Sequence, residues 1–202
     1  MQVSWATLLE EISVGRKGAL CGGRTHTVTG EGDPQADLML IGEGPGRDED
    51  LQGRPFVGAA GDLLMKMLAA IGLSRRDVYI ANTVKCRPPH NRVPEPEEVA
   101  ACLPYLRAQV ALVRPRVILL LGSTALQAVM GREHRITRER GLWIERKGFW
   151  IMPTYHPAAL LRDESKKRPA WEDLQKVRDK LAEAAQAASD AGPKAPETEP
   201  EP

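Results

Sequence analysis

The chain has 202 residues, 42% of them hydrophobic and 27% charged, which is enough for one buried core and a tail. Its net charge of +1 excludes a protein that holds nucleic acid through overall charge, so any such binding must rest on a local basic patch. Three cysteines argue against a disulfide framework and for thiols, ligands or core fillers. No run approaches the roughly 20 apolar residues that span a bilayer, and the N-terminus lacks a signal-peptide pattern, so the expectation is a cytoplasmic protein with no membrane partner.

Residues 1–20 open with an amphipathic helix carried by Trp5, Leu8, Leu9 and Ile12. Gly15 and Gly18, on either side of Arg16 and Lys17, each weaken a helix by roughly 1 kcal/mol, so residues 14–20 read as loop. A turn over residues 30–34 leads into a first strand, Leu38-Met39-Leu40-Ile41, whose continuous apolar character fits burial on both faces of a parallel sheet. The stretch IGEGPGRDEDLQGRPFVGAAG, residues 41–61, leaves the carboxyl end of that strand, where open α/β sheets bind ligands. Its glycines let backbone approach a ligand closely. Glu43, Asp48, Glu49 and Asp50 make it acidic and no Lys-Ser/Thr follows, so a phosphate-binding loop is a poor reading.

A helix beginning at Asp62 stops at Gly72, and residues 78–84 read as a second strand with Asn82 near its carboxyl end. The segment KCRPPHNRVP, residues 85–94, is kept extended by proline and made positive by Lys85, Arg87, Arg92 and, when protonated, His90. Pro96 opens a helix whose Val99, Cys102, Leu103, Leu106, Val110 and Val113 would face the sheet, with Glu97 and Glu98 complementing its dipole. Residues 117–121 form the clearest buried strand, and Gly122-Ser123-Thr124 caps a helix to about Met130. A basic loop follows over residues 131–141. Two short strands around residues 142–145 and 149–152 then deliver TYHPAALLR, with His156 just past a strand. Residues 171–188 form a closing helix, so residues 1–189 make one domain and residues 190–202, rich in Pro and Glu, a disordered tail. Alternation of strand and helix predicts an α/β fold, a three-layer α/β/α sandwich with a central, mainly parallel sheet.

Three positions beyond strand ends thus converge: the loop with Glu43, Glu49 and Phe56, then Asn82, then His156. A carboxylate, an aromatic plate, a carboxamide and an imidazole suit a flat heterocycle better than a polyphosphate. In order and wording, GEGPGRDEDLQGRPFVGAAG, ANTVKCRPPHNRVPEPEEVAAC and TYHPAALLR closely resemble the family 4 uracil-DNA glycosylases, the iron–sulfur branch of that superfamily. The resemblance covers residues 24–181. It implies a DNA repair enzyme that hydrolyses the N-glycosidic bond of deoxyuridine, releasing uracil and leaving an abasic site, with uracil-containing DNA as its partner; we expect a monomer.

Carried over residue by residue, the resemblance makes Phe56 the plate that stacks on the flipped base. Asn82 donates to uracil O4 and accepts from N3–H, a pattern that cytosine reverses. His156 donates to O2 as negative charge develops on the departing base. Glu43 positions water, with Glu49 supporting, beside an oxocarbenium-like sugar. Some relatives carry aspartate directly after the position of Glu43; here Gly44 stands there, against the substrate. Arg87, Arg92 and Arg162 are the candidate phosphate contacts, with the loop over residues 132–140 and Lys166-Lys167-Arg168 as weaker ones. Leu160-Leu161-Arg162 is placed to press into the duplex.

The resemblance also implies a [4Fe-4S] cluster held by four cysteines. Cys86 and Cys102 match two of them. Gly15 and Gly18 occupy the other two positions, with the CxxC spacing kept, so the cluster is expected to be absent or labile. Cys21 is three residues past Gly18, a substitute ligand only if the loop shifts. Two other readings of the chain are a nonenzymatic DNA-binding or polymerase-associated module on the same fold, and a relative that traps its product through a loop histidine, here His90.

Overall fold

The computed structural model describes residues 4–15 and 18–190. Its six-stranded sheet runs in the order β1-β3-β2-β4-β6-β5. The inner strands are β2 (Leu38–Gly42), β3 (Val78–Asn82), β4 (Val117–Leu121) and β6 (Phe149–Thr154), and they pair in parallel. Antiparallel edges are added by β1 (Glu31–Gly32) against β3 and by β5 (Ile144–Arg146) against β6.

Every residue of β2, β3 and β4 is buried, which is why β2 and β4 read as unbroken apolar runs and β3 as one broken only at Asn82. Side-chain alternation splits them between two cores. Leu38, Leu40, Ile80 and Leu119 pack with Leu64 and Leu68 of α3 (Ala59–Ala69) and Leu174 and Val177 of α8 (Lys167–Asp190). Met39, Ile41, Ala81 and Leu120 face Leu106 and Val113 of α4 (Pro96–Val113) and Leu126 of α5 (Gly122–Met130). Helices thus cover both faces of a mainly parallel sheet, the α/β sandwich expected. In the opening helix α1 (Trp5–Val14), Leu8 and Ile12 are buried against Tyr105 of α4.

Some elements differ from the sequence reading. Leu9 is exposed, because it turns away from the α4 side that Leu8 and Ile12 share. The Asn82 strand ends at Asn82, two residues early, since Lys85 folds back beneath it. The closing helix starts at Lys167, four residues before Trp171. The glycine-rich loop contains a short helix, α2 (Arg47–Gln52), and the basic loop contains α6 (Ile136–Glu139). The expected tail lies outside the described residues except for Asp190, which ends α8, and Arg16 and Lys17 lie outside them too.

The strand order reverses at β2: the chain moves to β3 on one side, then crosses back to β4 on the other. Ligands of open α/β sheets sit outside the carboxyl strand ends at such a switch point. Four strand ends meet there, followed by Glu43, Thr83, Gly122 and, one residue past Tyr155, His156.

Candidate active site

A cleft of about 980 Å³ lies over these strand ends and is lined by Glu43, Gly44, Glu49, Phe56, Asn82 and His156, with Arg92 and Arg162 at its margins. Phe56 and His156 form one wall, their ring centroids 5.6 Å apart and their planes 30° from parallel. Phe56 is 5% exposed and has φ of 52°, a left-handed conformation that a bulky side chain adopts only when its surroundings hold it there. Arg75 supplies that hold, donating through Nη1 to the Pro55 carbonyl at 2.8 Å and through Nη2 to the Phe56 carbonyl.

Asn82 ends β3 in register with Gly42 and is 2% exposed. Its Oδ1 is buried with no hydrogen-bond partner among the described residues, a costly state unless a donor arrives from a ligand. Gly42 permits this packing: a Cβ there would lie 2.4 Å from Asn82 Oδ1 and 2.7 Å from Phe56 Cζ.

His156 precedes α7 (Pro157–Arg162), and its Nδ1 accepts from the Ala158 amide at 3.1 Å. That bond places the proton of a neutral imidazole on Nε2, which can donate. Burial, then the nearby Arg162 charge, lowers its pKa from 6.5 to about 4, so the ring is neutral near pH 7. Gly122, at φ of +90°, gives it room, since a Cβ there would lie 2.9 Å from His156 Cβ.

The two glutamates have different settings. Glu43 Oε2 accepts from the Thr124 hydroxyl at 2.5 Å, and its main-chain carbonyl accepts from Thr83 Oγ1 and the Val84 amide. Glu49 spends both oxygens on backbone: Oε2 accepts from Gly46 N at 3.1 Å, and Oε1 from Val57 N and Gly58 N at 3.0 Å each. It clamps the two halves of the loop together. Its neighbour Asp50 is 3% exposed and accepts from the Thr25 and His26 amides, tying the loop to residues 25–26.

The basic residues are less uniform than their sequence suggests. Arg162 lines the cleft. So does Arg92, although its guanidinium forks onto Glu98 at 2.8 and 2.6 Å. Arg87 bonds Asn91 Oδ1 at 2.7 Å and lies outside the cleft lining, as does His90. Lys85 is 1% exposed and contributes nothing to a basic surface. Arg140 grips the buried Asp173 bidentately; Thr154 donates to the same carboxylate at 2.7 Å, bracing the end of β6 ahead of His156. Arg75, Thr83 and Thr124 carry no signal of a site role in the sequence: Arg75 falls between the helix stop at Gly72 and the strand over residues 78–84, Thr83 lies inside that strand, and Thr124 reads only as part of a helix cap.

Against the N-terminal half of α4 is a small corner cavity of about 20 Å³, lined by Gly15, Gly18, Cys21, Cys86 and Cys102 together with Arg24. The topology therefore brings all four positions matched to the cluster ligands to one place. The residues present do not fit the cluster. Two positions lack sulfur, and the cavity is about the size of one water molecule. A Cβ on Gly15 would lie 2.6 Å from the Glu11 carbonyl oxygen and 3.1 Å from Tyr105 Oη, whereas one on Gly18 would meet only Ala101 Cβ at 3.5 Å. Among the described residues no group of three or more His, Cys, Asp or Glu is placed to hold a metal ion. Burial pushes the Cys86 thiol up to about 11 and raises that of Cys102. Arg24 Nη1 donates to Cys86 Sγ at 3.2 Å and to the Gly15 carbonyl at 3.0 Å, and Nη2 donates to the Ser13 carbonyl at 3.2 Å. Cys21 Sγ donates to the Gly15 carbonyl at 3.4 Å.

A profile of the uracil DNA glycosylase superfamily matches residues 29–175, the span that holds every pocket residue above. This chain belongs to that superfamily. It is 48% identical to the type-4 uracil-DNA glycosylase of Thermotoga maritima over 159 residues, covering 77% of this chain and 83% of that one. The type-4 enzymes of Sulfurisphaera tokodaii and Archaeoglobus fulgidus are each 44% identical across 84% of this chain, covering 81% and 89% of theirs. Membership of the type-4 branch follows. No described helix is long and apolar enough to cross a membrane.

Proposed function

We propose that this chain is a uracil-DNA glycosylase that hydrolyses the N-glycosidic bond of deoxyuridine in DNA, and that the cleft over the strand ends takes the flipped base. The observation that carries the reading is the orphaned Asn82 Oδ1, buried beside Phe56. Uracil N3–H is the donor it lacks, and the same carboxamide donates to O4. Cytosine offers an acceptor at N3 and a donor at its exocyclic amine, so it would leave both groups unpaired. Extrusion costs about a few kcal/mol, which stacking on Phe56 offsets in part.

As the glycosidic bond breaks, its electrons pass to the base and accumulate at N1 and O2. Neutral His156 donates from Nε2 to O2, stabilising charge only as it appears. The sugar, left cationic, meets Glu43. That carboxylate, oriented by Thr124, holds a water for attack at C1′ and accepts its proton. Glu49 keeps the loop closed and Phe56 in place. Arg162, and Arg92 where Glu98 leaves donors free, hold phosphates on either side of the flipped nucleotide. Gly44 leaves space beside Val84 where a side chain would crowd the cleft.

The type-4 family typically carries a [4Fe-4S] cluster; in this chain the corner lacks two ligands, and Arg24 links α1 to the Cys86 loop instead. Its loss is expected to lower stability while leaving the pocket's chemistry intact. The test is uracil release from an oligonucleotide with a single uracil, with Asn82→Ala as control. Release by the wild type that the control lacks supports the glycosylase; binding to uracil-free DNA with no release would favour a binding module instead.

A further inference from the structure

Lys85 is among the largest side chains fully removed from solvent, at 1% exposed, and its acceptors are neutral. Nζ donates to the Asn82 main-chain carbonyl at 2.8 Å and to Gln109 Oε1 at 2.6 Å. Gln109, 0% exposed, turns its Nε2 to the Thr29 carbonyl at 2.6 Å and to Tyr79 Oη at 3.1 Å. A continuous buried network therefore runs from α4 and residue 29 to the last peptide of β3. Burying an ammonium without a carboxylate is unfavourable, so the fold sets this lysine where a hydrophobic side chain would be more stable. Burial lowers its pKa to about 7, but an amine and an ammonium both donate, and the brace does not depend on the charge.

The place it braces matters. Asn82 is the final residue of the strand, beyond which the chain turns toward Thr83 and the cleft. The carboxamide is joined to that peptide by two rotatable bonds and packs against Gly42 and Phe56 with no spare distance. A modest rotation of the Asn82 peptide would swing its amide out of the plane in which both uracil edges are met.

We infer that Lys85, held by Gln109, is a positioning residue for base recognition: it fixes the Asn82 peptide and thereby aims the Asn82 carboxamide at uracil. The inference rests on the reading of Asn82 given above. Lys85 lies outside the lining of the cleft.

The experiment measures steady-state uracil release and inhibition by free uracil for the wild type, Lys85→Met, Gln109→Leu, Tyr79→Phe and Asn82→Ala. All are assayed at a temperature where circular dichroism shows each to be folded. Lys85→Met should weaken both free-uracil inhibition and kcat/KM by about tenfold, the size of a net hydrogen bond to a well-placed donor, and Gln109→Leu by less. Tyr79→Phe removes the far end of the network and should lower Tm while leaving free-uracil inhibition at the wild-type level. Wild-type inhibition in folded Lys85→Met, or in Gln109→Leu should Lys85→Met not fold, overturns the inference. So does a loss of inhibition that merely follows Tm across all three variants. If Asn82→Ala keeps wild-type inhibition, the Asn82 reading falls and this inference with it; if only Asn82→Ala loses it, the role of Lys85 alone is refuted.

Discussion

The base pocket and the thiol corner lie on one chain but are held together differently. In the pocket, four groups have a dedicated support: Phe56 by Arg75, Glu43 by Thr124, Glu49 by three amides, and His156 by Ala158. In the corner, Gly15 and Gly18 stand where the family resemblance leads one to expect cysteine, and one guanidinium joins Ser13, Gly15 and Cys86. The regions meet through residues 24–26, since Arg24 belongs to the corner while the Thr25 and His26 amides bind Asp50 beside Glu49. A site whose geometry rests on its own hydrogen bonds can outlast the loss of a structural group outside it. A tie built from one arginine is weaker than four metal–thiolate bonds, so the cost should fall on stability.

That contrast is sharpened most by Glu43→Gln, which keeps the shape of the side chain and removes the base. Uracil release should fall on the order of a thousandfold with Tm unchanged, as single-turnover kinetics would show. Thr124→Val leaves the carboxylate but removes its orienting hydroxyl, and a loss of about tenfold in kcat with little change in KM is expected. In the corner the effects should appear only in stability. Gly15→Ala forces a Cβ against the Glu11 carbonyl oxygen at 2.6 Å and should cost about 1–3 kcal/mol by urea unfolding, whereas Gly18→Ala, whose Cβ would meet only Ala101 Cβ at an ordinary 3.5 Å, should stay within about 0.5 kcal/mol. Equal costs at the two positions would show that the backbone around Gly15 relaxes to admit a Cβ.

The smallest effect is a null result in the pH profile. His156 keeps its neutral form down to about pH 4, so kcat should show no His156 inflection near 6.5, and its NMR titration should centre near 4. The linkage has a definite sign. Between the unfolded value of 6.5 and the folded value of about 4 the unfolded chain binds a proton that the native ring refuses. Stability from this group is therefore full above 6.5, falls as pH drops, and levels off below about 4.

Much of this was readable before the structure because the relevant physics is local. Doubly buried strands are apolar nearly throughout, so β2, β3 and β4 stand out, and their alternation with helices points to the parallel sheet. Glu43, Phe56, Asn82 and His156 could be grouped because each follows or ends a strand whose carboxyl end faces one edge. What stayed hidden depends on distant partners. Nothing near Lys85 indicates that it points inward to Gln109, 24 residues away, when it sits in a run of basic residues that looks exposed. Arg140 reads as a surface charge until Asp173, 33 residues on, is folded against it. Leu9 reads as part of the apolar stripe of α1, because helical spacing alone cannot say how wide the buried stripe is on a helix packed against one neighbour.

The most direct test of the account is to measure iron and acid-labile sulfide on the protein as purified and uracil release on the same sample, with Asn82→Ala alongside. The account predicts release by protein holding far less than one cluster per chain, and none by the Asn82 variant. Release confined to an iron-loaded fraction, or its absence from folded iron-free protein, would contradict the claim that the pocket works without the four-thiolate corner.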